Sequence, residues 1–163
     1  MNCIYAAMPS KLDSSLFGGN LNSYKEALYK IFKRDFIDND VFYHGKRVDI
    51  IHEKLFEGKE RSFWHIISEG DEDIHRTPIT WRAEVLPWTK PLIQENGSCP
   101  EYKEWKKYHD KTKRDRYYIW CTTINFLVIL ENRDTHFKLI SAYPVLDYKV
   151  KYYTKEYNKY KYK

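Results

Sequence analysis

The chain is poor in residues that staple small proteins together. Of its 163 residues only three are cysteines, Cys3, Cys99 and Cys121. An odd number without a metal-ligand spacing argues against a disulfide framework or a zinc site. Glycine and proline number six each, and no P-loop, dinucleotide fingerprint, EF-hand loop or HExxH motif occurs. His52-Glu53 lacks the second histidine that a zinc-protease helix needs. No apolar run reaches the ~18 residues of a membrane span, so no membrane association is expected. The start, Met1-Asn2-Cys3-Ile4-Tyr5, has neither a basic lead nor a long apolar stretch. No secretion signal is therefore expected, and the cytoplasm is the expected compartment. No metal and no cofactor are expected either.

Aromatic and basic side chains are abundant instead. Aromatic residues make up 17% of the chain, with 15 Tyr and 5 Trp, and the net charge is +5. A basic surface attracts polyanions, and aromatic rings can stack on unpaired bases. RNA is thus the expected partner class. The length suits one domain, 1–163, with an irregular segment at 1–21 and a Tyr/Lys-rich tail or helix at 148–163.

Local pattern predicts the elements. Ser23-Tyr24-Lys25-Glu26 reads as a capping box opening a helix over 23–37, with Tyr24, Ala27, Leu28, Ile31 and Phe32 as its buried stripe. Residues 41–50 read as a small hairpin, or as a strand leading into a helix near 51–56. Phe63-Trp64-His65-Ile66-Ile67-Ser68 reads as a strand over 62–68, with Phe63, His65 and Ile67 on one face. Ser68 to Asp73 reads as an acidic loop. Thr77-Pro78 reads as the start of a helix covering much of 77–95, kinked or split by Pro87 and Pro91. Residues 98–116 read as a charged loop with one short helix. Strands follow over 117–121, 125–131 and 136–143, the last two joined by a hairpin near Arg133. In the tail, Tyr153, Tyr157 and Tyr160 fit one helix face.

The chemistry-bearing residues form a set. His65 can exchange a proton near neutral pH. Arg82 can hold phosphate oxygens bidentately, with Arg76 and Arg61 as further substrate-binding cations. Ser141 and Tyr143 share one face of the last strand and can donate hydrogen bonds. A base, a cation and two hydroxyls suffice for RNA cleavage without metal. Taken singly, each has an ordinary alternative: a core histidine, a solvated arginine, a small strand residue, a packed tyrosine.

The order of these features is similar to phage and bacterial members of the barnase/EndoU/colicin/RelE-like nuclease superfamily. The resemblance rests on Phe63-Trp64-His65-Ile66-Ile67, Arg82-Ala83-Glu84, Phe126-Leu127-Val128-Ile129-Leu130 and Leu139-Ile140-Ser141-Ala142-Tyr143-Pro144, and covers about residues 41–146. It implies an α+β domain with helices packed on an antiparallel sheet, RNase/RelE-like. It implies a metal-independent endoribonuclease, toxin-like or phage-borne, with His65, Arg82, Ser141 and Tyr143 as catalytic residues and a neutralising protein as a further partner. Two other readings compete. One is a non-catalytic nucleic-acid-binding protein using the same basic surface. The other is a protein-interaction or inhibitor module anchored by Trp81, Trp88 and Trp105.

Overall fold

The computed structural model describes residues 8–69, 77–94 and 101–161. The fold is α+β, with helices packed on a six-stranded sheet. The first helix, α1 (Leu21–Phe36), begins slightly earlier than the Ser23 box suggests. Gly18 and Gly19 adopt left-handed backbone, and Asn20 then caps the helix, its side chain accepting from the Ser23 amide at 3.0 Å. Ser23 therefore donates its backbone N–H to the cap and is not the cap itself. The expected stripe faces inward: Tyr24, Leu28, Phe32 and Phe36 are buried. Residues 8–20 are irregular apart from a 3-10 turn at Ser14–Phe17. They are tied to the body by Leu12 N–H to Glu84 O at 2.8 Å and by Trp88 Nε1 to Pro9 O at 2.8 Å.

Residues 41–50 form the small hairpin, β1 (Phe42–Tyr43) and β2 (Lys46–Asp49). No helix follows at 51–56. A second hairpin stands there, β3 (Lys54–Phe56) and β4 (Lys59–Glu60). It leads directly into α2, Arg61–Ile67.

That helix corrects the strand expected over 62–68. Its buried residues include Phe63, Trp64, Ile66 and Ile67. The spacing i, i+1, i+3, i+4 is a helix stripe, whereas a strand face would have buried 63, 65 and 67. Seven residues rich in aromatic and β-branched side chains imitate a strand by composition. The helical run at 77–95 is broken, as its two prolines require. It consists of α3 (Thr80–Ala83), a 3-10 turn at Leu86–Trp88 and α4 (Thr89–Ile93). Thr77 is not the cap: α3 starts after Ile79, with no side-chain cap bond.

The rest of the sheet is a meander, β5 (Tyr102–His109), β6 (Arg114–Cys121), β7 (Phe126–Asn132) and β8 (Phe137–Pro144). Strand β5 replaces the charged loop expected before Arg116. It pairs along its whole length with β6, from Tyr102↔Cys121 to His109↔Arg114. As an edge strand it carries Lys103, Lys106 and Lys107, the kind of charge that blunts an open edge and hides the strand from a hydropathy reading. The order is β1-β2-β8-β7-β6-β5. Every pairing is antiparallel except β2 with β8, which run parallel through Val48↔Phe137.

The sheet curls until its two edges approach. His44, in the β1–β2 turn, meets Glu104 of β5 at 3.0 Å. Tyr43 packs edge-on against Phe137 and Tyr117 beneath that contact. The inner face carries the main core, where Leu28, Phe32, Phe63, Trp64, Ile66 and Ile67 have no more than 1% exposure. Each such side chain contributes roughly 1.5–3 kcal/mol by burial.

The outer face has a smaller core of its own. Trp105, Trp120, Leu127, Ile129, Val145 and Tyr153 pack together there. Its cover is the C-terminal helix α5, Asp147–Tyr160. Tyr153 is buried, and Tyr157 and Tyr160 pack beside it, on the face the tyrosine spacing predicts.

Candidate functional site

Strand register puts Ser141 and Tyr143 on the outer face of the sheet. They pair with Ile129 and Leu127, which belong to the outer core. Helix α5 covers the Tyr143 end of this face. Arg82, from the last turn of α3, enters beside it and is 7% exposed. Its Nη2 donates to the His65 carbonyl at 2.7 Å and its Nε to the Ile66 carbonyl at 3.3 Å. Those carbonyls belong to the last turn of α2, where intrahelical partners run out. Nη2 also reaches the Ser141 hydroxyl at 3.5 Å. The guanidinium carbon stands 5.2 Å from the centre of the Tyr143 ring.

A cleft of about 200 Å³ opens over this arginine, lined by Glu69, Trp81, Arg82, Tyr143, Tyr148 and Lys149, among others. Glu69 lies 3.6 Å from Arg82 Nη1 and is largely exposed. Tyr143 and Tyr153 share a hydrogen bond through their hydroxyls. Burial pushes both phenols above their ordinary range. For Tyr143 the bond from Tyr153 and the Arg82 charge offset part of that rise. Both phenols are therefore protonated at neutral pH. They form a rigid floor, with Arg82 beside it as a fixed cation.

Three of the expected residues, Arg82, Ser141 and Tyr143, thus come together from segments far apart in sequence. His65 joins them through its backbone carbonyl. It is half-buried in the last turn of α2, and it is absent from the described cleft lining. Arg61 stands one helical turn before His65 on the same stripe. Glu53 takes its guanidinium through Nε and Nη2, each at 3.1 Å, so Arg61 is held away from the cleft. Arg76 and the acidic run at 71–73 lie outside the described residues. Among the described residues no group of three His, Cys, Asp or Glu could hold a metal ion, and no helix is long and apolar enough to cross a membrane.

Sequence reasoning missed Glu69, Lys149 and Tyr148 as cleft residues. The only signal for the last two was the tyrosine spacing that predicts a docked α5. Trp81 was expected only as a partner-binding anchor, not as a wall of this cleft. Comparison of the chain with family models, curated proteins and solved structures gives no match.

Proposed function

We propose that the chain is a metal-independent endoribonuclease. The observation that carries this reading is the gathering of Ser141 and Tyr143 around the Arg82 guanidinium, which also bonds the backbone carbonyl of His65. In this reading His65 removes the 2′-hydroxyl proton. The 2′-oxygen attacks the adjacent phosphorus and the bond from phosphorus to the 5′-oxygen breaks. That oxygen takes a proton from water as it leaves, giving a 2′,3′-cyclic phosphate and a 5′-hydroxyl. Arg82 and Ser141 hold the phosphate oxygens, and Glu69 yields its place at Arg82 Nη1 to the phosphate. Tyr143 supports Arg82 through its ring, since its hydroxyl is engaged by Tyr153.

The test is cleavage of a single-stranded RNA in the presence of a chelator. His65→Ala should lower the rate about 10²–10⁴-fold with the circular-dichroism spectrum unchanged. Arg82→Lys, which keeps the charge but loses the fork, should lower it too. Full activity in a folded His65→Ala protein, or loss of wild-type activity to the chelator, refutes this mechanism.

One observation favours a second reading, nucleic-acid binding without cleavage. Residues 102–121 hold seven Lys and Arg against three Asp and Glu, and residues 147–161 hold five Lys against two acids. That excess exceeds the net charge of the whole chain, +5, and it sits on the β5–β6 pair and on α5, which packs against β5. Salt-sensitive RNA binding with no product would select this reading.

A further inference from the structure

Outside the Arg82 cleft, one charged cluster stands on the same face of the sheet. Glu131, near the end of β7, is fully buried. Three donors converge on its carboxylate: Arg116 Nε at 3.0 Å, Thr112 Oγ1 at 2.9 Å and Arg133 Nε at 2.7 Å. Burial alone would raise the Glu131 carboxyl. The bonds from Arg116 and Thr112 and the two guanidinium charges outweigh it and hold the group below its ordinary value.

Both arginines meet Glu131 through Nε. Their terminal nitrogens have no bond to Glu131 among the described residues, and the side chains keep 19% and 33% exposure. Lys138 of β8 stands directly opposite Glu131. A buried ion triad is a poor device for stability, because well-packed apolar residues commonly do as well or better. What this triad does achieve is to fix two guanidinium forks, one on β6 and one in the β7–β8 turn, against the end of β7.

The position of the cluster gives it a use. Tyr143, in the cleft wall, pairs with Leu127. Glu131 is four residues further along the same face of β7, roughly 14 Å away by strand rise. An extended single strand crosses that distance within a few nucleotides. We propose that Arg116 and Arg133, oriented by Glu131, form a second phosphate subsite that holds a nucleotide further along the strand from the one at Arg82. Glu131 is a positioning residue. The inference rests on the nuclease reading for the identity of the first subsite.

The test uses the full chain with Arg116, Glu131 and Arg133 replaced together, as Arg116→Met, Glu131→Leu and Arg133→Met, so that no charge is left buried and unpaired. Two substrates separate the subsites: a dinucleoside monophosphate, which has only the scissile phosphate, and a single-stranded oligoribonucleotide. Dinucleotide cleavage should be unchanged. For the oligonucleotide kcat/KM should fall about tenfold or more, and the log–log salt slope of binding should shrink by roughly 0.7. Arg116→Lys with Arg133→Lys keeps the pairing to Glu131 but removes the forks. It should weaken oligonucleotide binding in the same sense and covers the case in which the triple variant does not fold. Equal loss on both substrates, or an unchanged oligonucleotide kcat/KM and slope, overturns the subsite. If the wild type cleaves neither substrate, the slope difference in binding still decides. A smaller slope then keeps the anion subsite and removes only the nuclease reading.

Discussion

The paired phenols of Tyr143 and Tyr153 allow a stability measurement that also bears on mechanism. Each hydroxyl is the other's partner. Tyr143→Phe leaves the Tyr153 hydroxyl without that partner in a site that is 8% exposed. An unsatisfied buried hydroxyl costs about 1–3 kcal/mol. Tyr153→Phe strands the Tyr143 hydroxyl instead. Both rings line the same cleft, so each single variant should lose an amount in that range. The double Phe variant removes both needs and should lie within about 1 kcal/mol of the wild type. Urea unfolding at constant m-value gives the three differences, and a coupling energy that recovers most of the single losses is the expected result. Additive losses, or two silent single variants, would refute the buried pair. The same Tyr143→Phe protein keeps the ring beneath Arg82. Its RNA cleavage should remain of wild-type order. A loss of about 10²-fold or more would make Tyr143 the general acid.

Two further measurements follow from the packing. Burial raises the Tyr24 and Tyr29 phenols to about 12, with nearby acids adding to the rise. Both phenols ionise near 10 when unfolded, so the stability they contribute is complete below about pH 10 and is lost as pH climbs towards 12. Urea midpoints should fall across that window together with the rise of phenolate absorbance; a midpoint flat to pH 12 contradicts the burial. Ending the chain after Val145 removes Tyr153 from over Trp105 and Trp120. It should cost at least about 3 kcal/mol and lower the Tm by about 6 °C or more, whereas an unchanged Tm would mean that α5 does not cover the outer core.

The parts legible in the sequence were those whose signal is local and long. Phe126 to Leu130, with the returning strand ending at Pro144, announced the central hairpin, and the register joins Ile129 to Ser141. The α1 stripe was equally plain, although its start was set by Asn20 rather than by Ser23. Short elements failed. Seven residues around His65 hold too few periods to separate a helix from a strand. Strand β5 looked like a loop because Lys103, Lys106 and Lys107 suit an edge rather than a core. No sequence signal foretold that His44 would meet Glu104 across the curl of the sheet, since that contact depends on the twist summed over six strands.

The misread helix changes the account of the site more than of the fold. On a strand, His65 would have faced Arg82 as one independent side chain facing another. On α2 it sits in a last turn where Arg82 itself donates to the His65 and Ile66 carbonyls. The arginine proposed to bind phosphate therefore also fixes the end of the helix that carries His65. Removing its side chain to alanine would leave the His65 and Ile66 carbonyls without those donors and loosen the turn beneath the imidazole. A loss of activity in an Arg82→Ala protein thus combines the missing cation with a displaced base. Arg82→Lys measures the fork more cleanly, because an ammonium can still reach a carbonyl while it cannot grip two phosphate oxygens in one plane. The Tyr143 ring lies against the same guanidinium, and α5 in turn buries Tyr153 over the outer core. The chain of contacts from α5 through Tyr153 and Tyr143 to Arg82 and the end of α2 ties the C-terminal helix to the position of His65.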